Sequence, residues 1–308
     1  MDRKYLTEFG LLVKGHQLQL CYPQDLSYLK REGKNRYHLY MICRIPYISF
    51  VKDSLEVTTG YMKFSIKVEK EEGDFSYIDY KIKRDNEAES NYDSFELDES
   101  LRTIVIKKGE TTLHIRPTYF YPKEDSKILL PTEILYVGQS YGNEGERSAV
   151  SRLSGHETLQ KIVQEHSFNR NFGDIAVILI EPEAKIVSMT NPWIPSQVTG
   201  KNNELHEKEV YETMSEESYK SVVNITEAAW IRYFRPYYNE KFKQIFPNIK
   251  HTSYKTYYDL DFGSVMVDLD FGCIGLEAYN EHIAPINHPI AEFPFHSSED
   301  RKNMFDLF

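Results

Sequence analysis

Cysteine, long apolar runs and positive charge are the three things this sequence has little of. Cys21, Cys43 and Cys273 are its only thiols, an odd count without CxxC spacing. That argues against a disulfide framework and for a reducing, intracellular compartment. No segment approaches the roughly 18 to 20 apolar residues that span a bilayer, and the stretch from Met1 to Gly10 lacks the apolar core of a signal peptide. The expectation is a soluble, cytoplasmic protein with no membrane partner. Lys and Arg number 37 against 47 Asp and Glu, a formal charge of −10. Non-specific coating of nucleic acid needs cations to displace phosphate counterions, so any DNA or RNA contact must be local.

What is present leans towards strands. A chain of 308 residues that is 41% hydrophobic can bury a substantial core, and 23 tyrosines suit pleated, half-buried surfaces. The expected class is α+β, in three parts. Residues 1–116 read as a β-rich N-terminal module, 117–250 as a mixed second module, and 251–308 as a C-terminal β-hairpin extension with an acidic tail. In the first part, Leu11 to Gly15 and Gln17 to Cys21 read as a hairpin meeting at Gly15-His16, and Tyr37 to Ile45 as an apolar strand stopped by Pro46. Met62 to Val68 and Phe75 to Ile82 alternate with period two. Residues 85–100 hold seven acids and no base, an exposed loop by composition.

In the second part Ile134 to Val137 is a short strand stopped by Gly138, followed by a helix-patterned run containing Arg152 and His156. Ile175-Ala-Val-Ile-Leu-Ile180 is continuously apolar, as a strand buried on both faces would be. Residues 188–203, rich in Pro, Asn, Ser and Gly, read as a loop. Tyr219, Val222, Val223, Thr226, Trp230 and Tyr233 form one stripe of a helix that Pro236 ends. Beyond it, Tyr254 to Phe271 alternates apolar residues with acids around Gly263-Ser264, the hairpin signal of the third part. Charge is uneven here: Arg232, Arg235, Lys241, Lys243, Lys250 and Lys255 face one acid, Glu240, between 228 and 256, while ten acids crowd 257–308.

Three stretches carry a pattern beyond this. They are Leu135-Tyr-Val-Gly138, Arg152-Leu-Ser-Gly-His156, and a helix with Glu227 followed twelve residues later by Asn239, within Glu-Ala-x-x-Ile-x-x-x-Arg-Pro-x-Tyr-Asn. In that order they resemble the GIY-YIG endonuclease superfamily over roughly residues 117–245, the last being the most specific. The resemblance implies a small mixed sheet flanked by helices and hydrolysis of DNA phosphodiester bonds, with RNA not excluded, in a role such as restriction or phage defence. It implies Glu227 as the carboxylate ligand of Mg²⁺ or Mn²⁺, Arg152 or Arg147 as phosphate clamp, Tyr136 as the phenol that orients or deprotonates water, His156 as a proton-sharing partner, and Asn239 as a brace at the end of the helix. No Gly-Ile-Tyr stands shortly before Tyr136; Tyr119 and Tyr121 are the nearest tyrosines, with Tyr121 the candidate first tyrosine. Arg232, Arg235, Lys241 and Lys243 are the candidate nucleic-acid contacts.

The residue types suit the chemistry. Phosphodiester hydrolysis needs an oriented water, a cation at the phosphorus, and a divalent metal to take up developing charge. Glu227, between Val223 and Trp230, emerges at the rim of the buried stripe. The missing first tripeptide and the acidic balance leave a second reading open, a catalytically inactive binding or inhibitor module acting on nucleic acid or a protein partner. A coincidental match in a structural β-rich protein is a third. A protein partner or self-association stays open under each.

Overall fold

A strand covered on both faces has no reason to alternate, and residues 175–180, all buried, do not. They belong to the middle of a central sheet in the computed structural model, which describes residues 4–26, 37–84, 92–120, 129–141, 149–153, 155–168, 173–190, 201–216, 219–248 and 255–296. In chain order the strands are β1 Thr7–Cys21, β2 Leu39–Ile45, β3 Tyr47–Phe50, β4 Glu56–Val57, β5 Tyr61–Glu71, β6 Asp74–Lys83, β7 Ser94–Leu97, β8 Ile104–Lys108, β9 Thr111–Ile115, β10 Leu130–Gln139, β11 Asp174–Thr190, β12 Ser264–Asp268, β13 Leu276–Tyr279 and β14 Ile290–Pro294. The helices are α1 Ala149–Leu153, α2 Glu157–Phe168, α3 Lys201–Glu216, α4 Tyr219–Phe234 and α5 Lys255–Asp259. The class is α+β with a β-rich N-terminal part.

The central sheet runs β13-β10-β2-β11-β1-β12-β14. Strands β10, β2, β11 and β1 pair antiparallel, while β13 and β12 lie parallel to β10 and β1. The sheet therefore takes β1 and β2 from before residue 116 and the others from beyond it. On β2, Leu39, Met41, Cys43 and Ile45 enter one core with α4, while Tyr40 and Ile42 enter a second core with α1 and α2. On β11, Ala176, Ile178 and Ile180 go with the first set, Ile175, Val177 and Leu179 with the second. Period-two alternation between two apolar layers is what a continuous apolar run means here.

Several elements differ from the sequence reading. Gly15-His16 is no turn: β1 runs on through it, pairing Gly15 with Pro182 and Gln17 with Glu181, so His16 is a bulge. Gly15 is small because a Cβ would lie 2.4 Å from Leu269 Cδ1. Residues 188–190 extend β11 and 201–203 begin α3, while 191–200 lie outside the described residues. Within the acidic stretch, 94–97 is strand and 85–91 lies outside them. Of the alternation at 254–271, residue 254 lies outside the described residues and the rest splits into α5 and β12; Tyr257 and Leu260, three apart, are both buried, and β12 pairs with β14 rather than folding back on its own neighbour.

Between β2 and β10 the chain builds two smaller sheets, β3-β5-β4 with β6, and β7-β8-β9. Phe50, Phe64, Ile66 and Ile104 join the first core, so this insertion packs as part of it. Arg102 donates to the Asp174 carboxylate at the start of β11 and to the Tyr22 hydroxyl at 3.3 Å, and Arg116 reaches Asp25 at 3.5 Å. Arg102→Ala would leave a half-buried carboxylate without its cation, so a loss of about 1–3 kcal/mol is expected in urea unfolding; an unchanged midpoint would remove this contact from the account of how the insertion docks.

Candidate catalytic cluster

The site is organised by an irregularity in β10. Ile134 pairs with Cys43 and Tyr136 with Ile42, so Leu135 is an extra residue that shifts the phase of the strand. Ile134 and Val137 face the first core while Leu135 and Tyr136 pack against the second, which puts Tyr136 on the same face as Tyr40. The bulge is fixed by the segment after α4. Val137 N–H donates to Asn239 Oδ1 at 2.9 Å, Asn239 Nδ2 donates to Val137 O at 2.8 Å, and Tyr238 N–H donates to Leu135 O at 3.1 Å. Beyond Glu133 that edge of β10 has no strand partner among the described residues, and the buried Asn239 amide takes its place. Asn239 thus braces the strand, whereas the sequence reading had it bracing the helix.

Gly138 pairs with Tyr40 across the β2–β10 ladder. A Cβ there would stand 2.6 Å from Tyr40 Cζ and Oη and 2.7 Å from Tyr136 Cε1, so glycine is what lets the two rings meet, at 6.2 Å between centroids. Tyr40 is fully buried and Tyr136 half-buried. Sequence reasoning missed Tyr40, which lies on the neighbouring strand, 96 positions before Tyr136 rather than in a short hairpin. The only signal was a tyrosine inside an apolar strand. Tyr121 lies outside the described residues, as does Arg147, and Tyr119 is 76% exposed.

Arg152 and His156 do not share one helix. Arg152 sits in α1, the chain turns at Gly155, and His156 precedes α2. His156 Nδ1 accepts the Leu159 N–H at 3.3 Å, satisfying a free donor of the first turn of α2. Its proton is therefore on Nε2, which donates to Tyr40 Oη at 3.0 Å. Burial and the Arg152 charge hold His156 below the usual histidine range, so it is neutral near pH 7. Tyr40 Oη also accepts from the exposed Arg152 and is hydrogen-bonded to Tyr136 Oη. Burial is the main reason both phenols stand above the usual tyrosine range; Arg152 pulls each down and Glu227 pushes each up.

Glu227 comes from α4 and accepts a hydrogen bond from the Gln139 N–H at the end of β10. One turn earlier, Asn224 Oδ1 accepts from Gln139 Nε2 at 3.1 Å, so Gln139 is held through both backbone and side chain. Burial raises the Glu227 carboxyl to about 7 against the pull of Arg152 and Gln139. Part of the residue stays accessible. Tyr136, Tyr40, Arg152, His156 and Glu227 are therefore one electrostatically coupled cluster, built from β2, β10, α1, α4 and the turn before α2.

Among the described residues no three His, Cys, Asp or Glu are grouped to cage a metal. A lone, partly accessible carboxylate with one hydrogen bond suits Mg²⁺ or Mn²⁺, which keep several waters and use one or two carboxylates with substrate oxygens. Of the basic residues, Arg232, Arg235 and Lys243 line one recess, and Lys241 is exposed outside it. No family model, no curated protein and no solved structure matches the chain.

Two outcomes are expected. Asn239→Ala removes both contacts to Val137 and leaves a buried N–H unpaired, so unfolding should become easier by about 1–3 kcal/mol; an unaltered urea midpoint would contradict the role of the brace. A carboxyl raised in the folded state favours folding while protonated, and that contribution is lost as pH rises from the unfolded carboxylate range, about 4, towards about 7. Glu227→Gln cannot ionise, so its stability relative to the native chain should grow by roughly 1–3 kcal/mol across that window and then level off. Parallel pH curves for the two proteins would show that Glu227 is not raised.

Proposed function

We propose that the chain is a divalent-metal-dependent endonuclease that hydrolyses phosphodiester bonds of DNA, with a GIY-YIG-like centre. The observation that carries this reading is the convergence of two phenols, a guanidinium, a neutral imidazole and one carboxylate on a single cluster. Tyr40 takes the position beside Tyr136 that the resemblance asks of a first tyrosine, with β3 to β9 inserted between the two strands. The fit is in arrangement and not in chain distance.

The roles follow from burial and hydrogen-bond direction. Tyr136 is the phenol that solvent reaches, so it touches the attacking water. Tyr40 is too deep for that; its hydrogen bonds to His156, Arg152 and Tyr136 fix the Tyr136 hydroxyl, which stays neutral and orients the attacking water by accepting a hydrogen bond from it. His156 acts as donor and not as proton acceptor, because its other nitrogen is occupied by Leu159 N–H. Arg152, exposed at the rim, pairs with the non-bridging phosphate oxygens. Water adds to phosphorus and gives its proton to solvent, the bond to the leaving sugar oxygen breaks, and that oxygen takes a proton from solvent. Glu227 would hold Mg²⁺ or Mn²⁺, which when bound supplies positive charge against the charge developing on the phosphate.

The test is cleavage of supercoiled plasmid, linear duplex, single-stranded DNA and RNA with Mg²⁺ or Mn²⁺. Metal-dependent cutting of DNA is expected, abolished by chelator and reduced roughly 10²–10⁴-fold in Glu227→Ala, Arg152→Ala and Tyr136→Phe. Tyr40→Phe should weaken cutting and alter its pH profile while Tyr136 remains. Cutting unchanged in Glu227→Ala would remove the mechanism, and the absence of cutting on every substrate would favour a binding module.

A further inference from the structure

Two recesses open beside the C-terminal end of α4, one of about 350 Å³ reaching Tyr237 and Tyr238, the other of about 310 Å³ lined by Arg232, Arg235, Lys243, Gln244, Glu281 and His282. Arg235 borders both. It closes α4 with φ +49, its N–H on Ile231 O at 2.8 Å. Left-handed backbone at a helix end ordinarily falls to glycine, because a Cβ is disfavoured there. An arginine held in that conformation implies a use for its side chain. That side chain is exposed and has no ion-pair partner among the described residues.

The other two cations are held beside it by backbone oxygens. Arg232 donates to Lys243 O at 2.8 Å and Lys243 Nζ to Tyr237 O at 3.1 Å. Each contact uses one donor and leaves others on the same group for a ligand. Among the described residues the one acid lining this recess is Glu281, which lies 3.3 Å from His282. Tyr237, 74% exposed, lines the neighbouring recess that Arg235 also borders, and its backbone oxygen is the one that holds Lys243.

We propose that this recess is a phosphate subsite that grips a nucleic-acid backbone phosphate other than the scissile one; this rests on the nuclease reading. Arg232 and Arg235 lie five and eight positions beyond Glu227, which at 1.5 Å per helical residue places them roughly 7 to 12 Å further along. A phosphate held there belongs to a flanking nucleotide, and the Tyr237 ring is placed to pack on its sugar or base. Three cations from one helix end and its following loop give an acidic protein the local contact that its overall charge requires.

The test uses the full chain and a variant that relieves backbone strain. Arg235→Gly suits φ +49 better than arginine does, so it should unfold no more easily than the native protein. It should nevertheless bind a duplex on the order of tenfold more weakly, with the slope of log K on log salt shallower by about 0.9. Lys243→Ala should act in the same direction. On substrates long enough to reach the recess KM should rise with little change in kcat, and on a substrate truncated beside the scissile phosphate the native and variant proteins should cut alike. Equal affinity and equal salt slope for native and Arg235→Gly would overturn the subsite while leaving the nuclease intact. Failure of the native chain both to bind and to cut DNA would overturn both readings.

Discussion

The paired hydrogen bonds between the Asn239 amide and Val137 are the contact on which the rest of the cluster depends. A one-residue bulge at Leu135 turns Tyr136 to the face where Tyr40 lies, and a bulge leaves backbone groups that a ladder would otherwise satisfy. Asn239 supplies one donor and one acceptor from a chain segment that has just left α4. The same segment therefore fixes two things at once, the phase of β10 and the end of the helix that delivers Glu227. Moving either would separate the phenol from the carboxylate.

Charge in this cluster is balanced against burial. A carboxylate, an imidazole and two phenols share a poorly solvated region with a single guanidinium, and for all four burial is the largest influence on protonation. Glu227 and the phenols are each pushed towards their neutral forms, and the imidazole is held neutral. Such a site is short of positive charge near Glu227. Under the proposed function, a divalent cation together with a phosphate would supply that charge.

Much of this was legible in the sequence, and the reasons differ by element. The apolar run at 175–180 and the stripe from Tyr219 to Tyr233 report burial directly, so both elements are where periodicity put them. Tyr136, Arg152, His156, Glu227 and Asn239 were singled out by the resemblance of their motifs to a nuclease superfamily, and the structure brings the first four into one cluster with Asn239 bracing the strand. Tyr40 was not legible, because its partner strand is contiguous in space but separated by the whole of β3 to β9. Gly15 and the segment 255–262 misled for a related reason. A glycine required by the close approach of Leu269 looks the same as a turn glycine, and alternating residues that tertiary packing winds into α5 look like a strand.

The most direct measurement of the central claim is Mn²⁺ binding followed by water-proton relaxation, with an uncleavable duplex present, in the native protein and in Glu227→Gln. The cluster described above predicts one ion per chain, bound with release of a proton below about pH 7 and lost in the variant. Equal Mn²⁺ binding by the two proteins, or none by either, would contradict it.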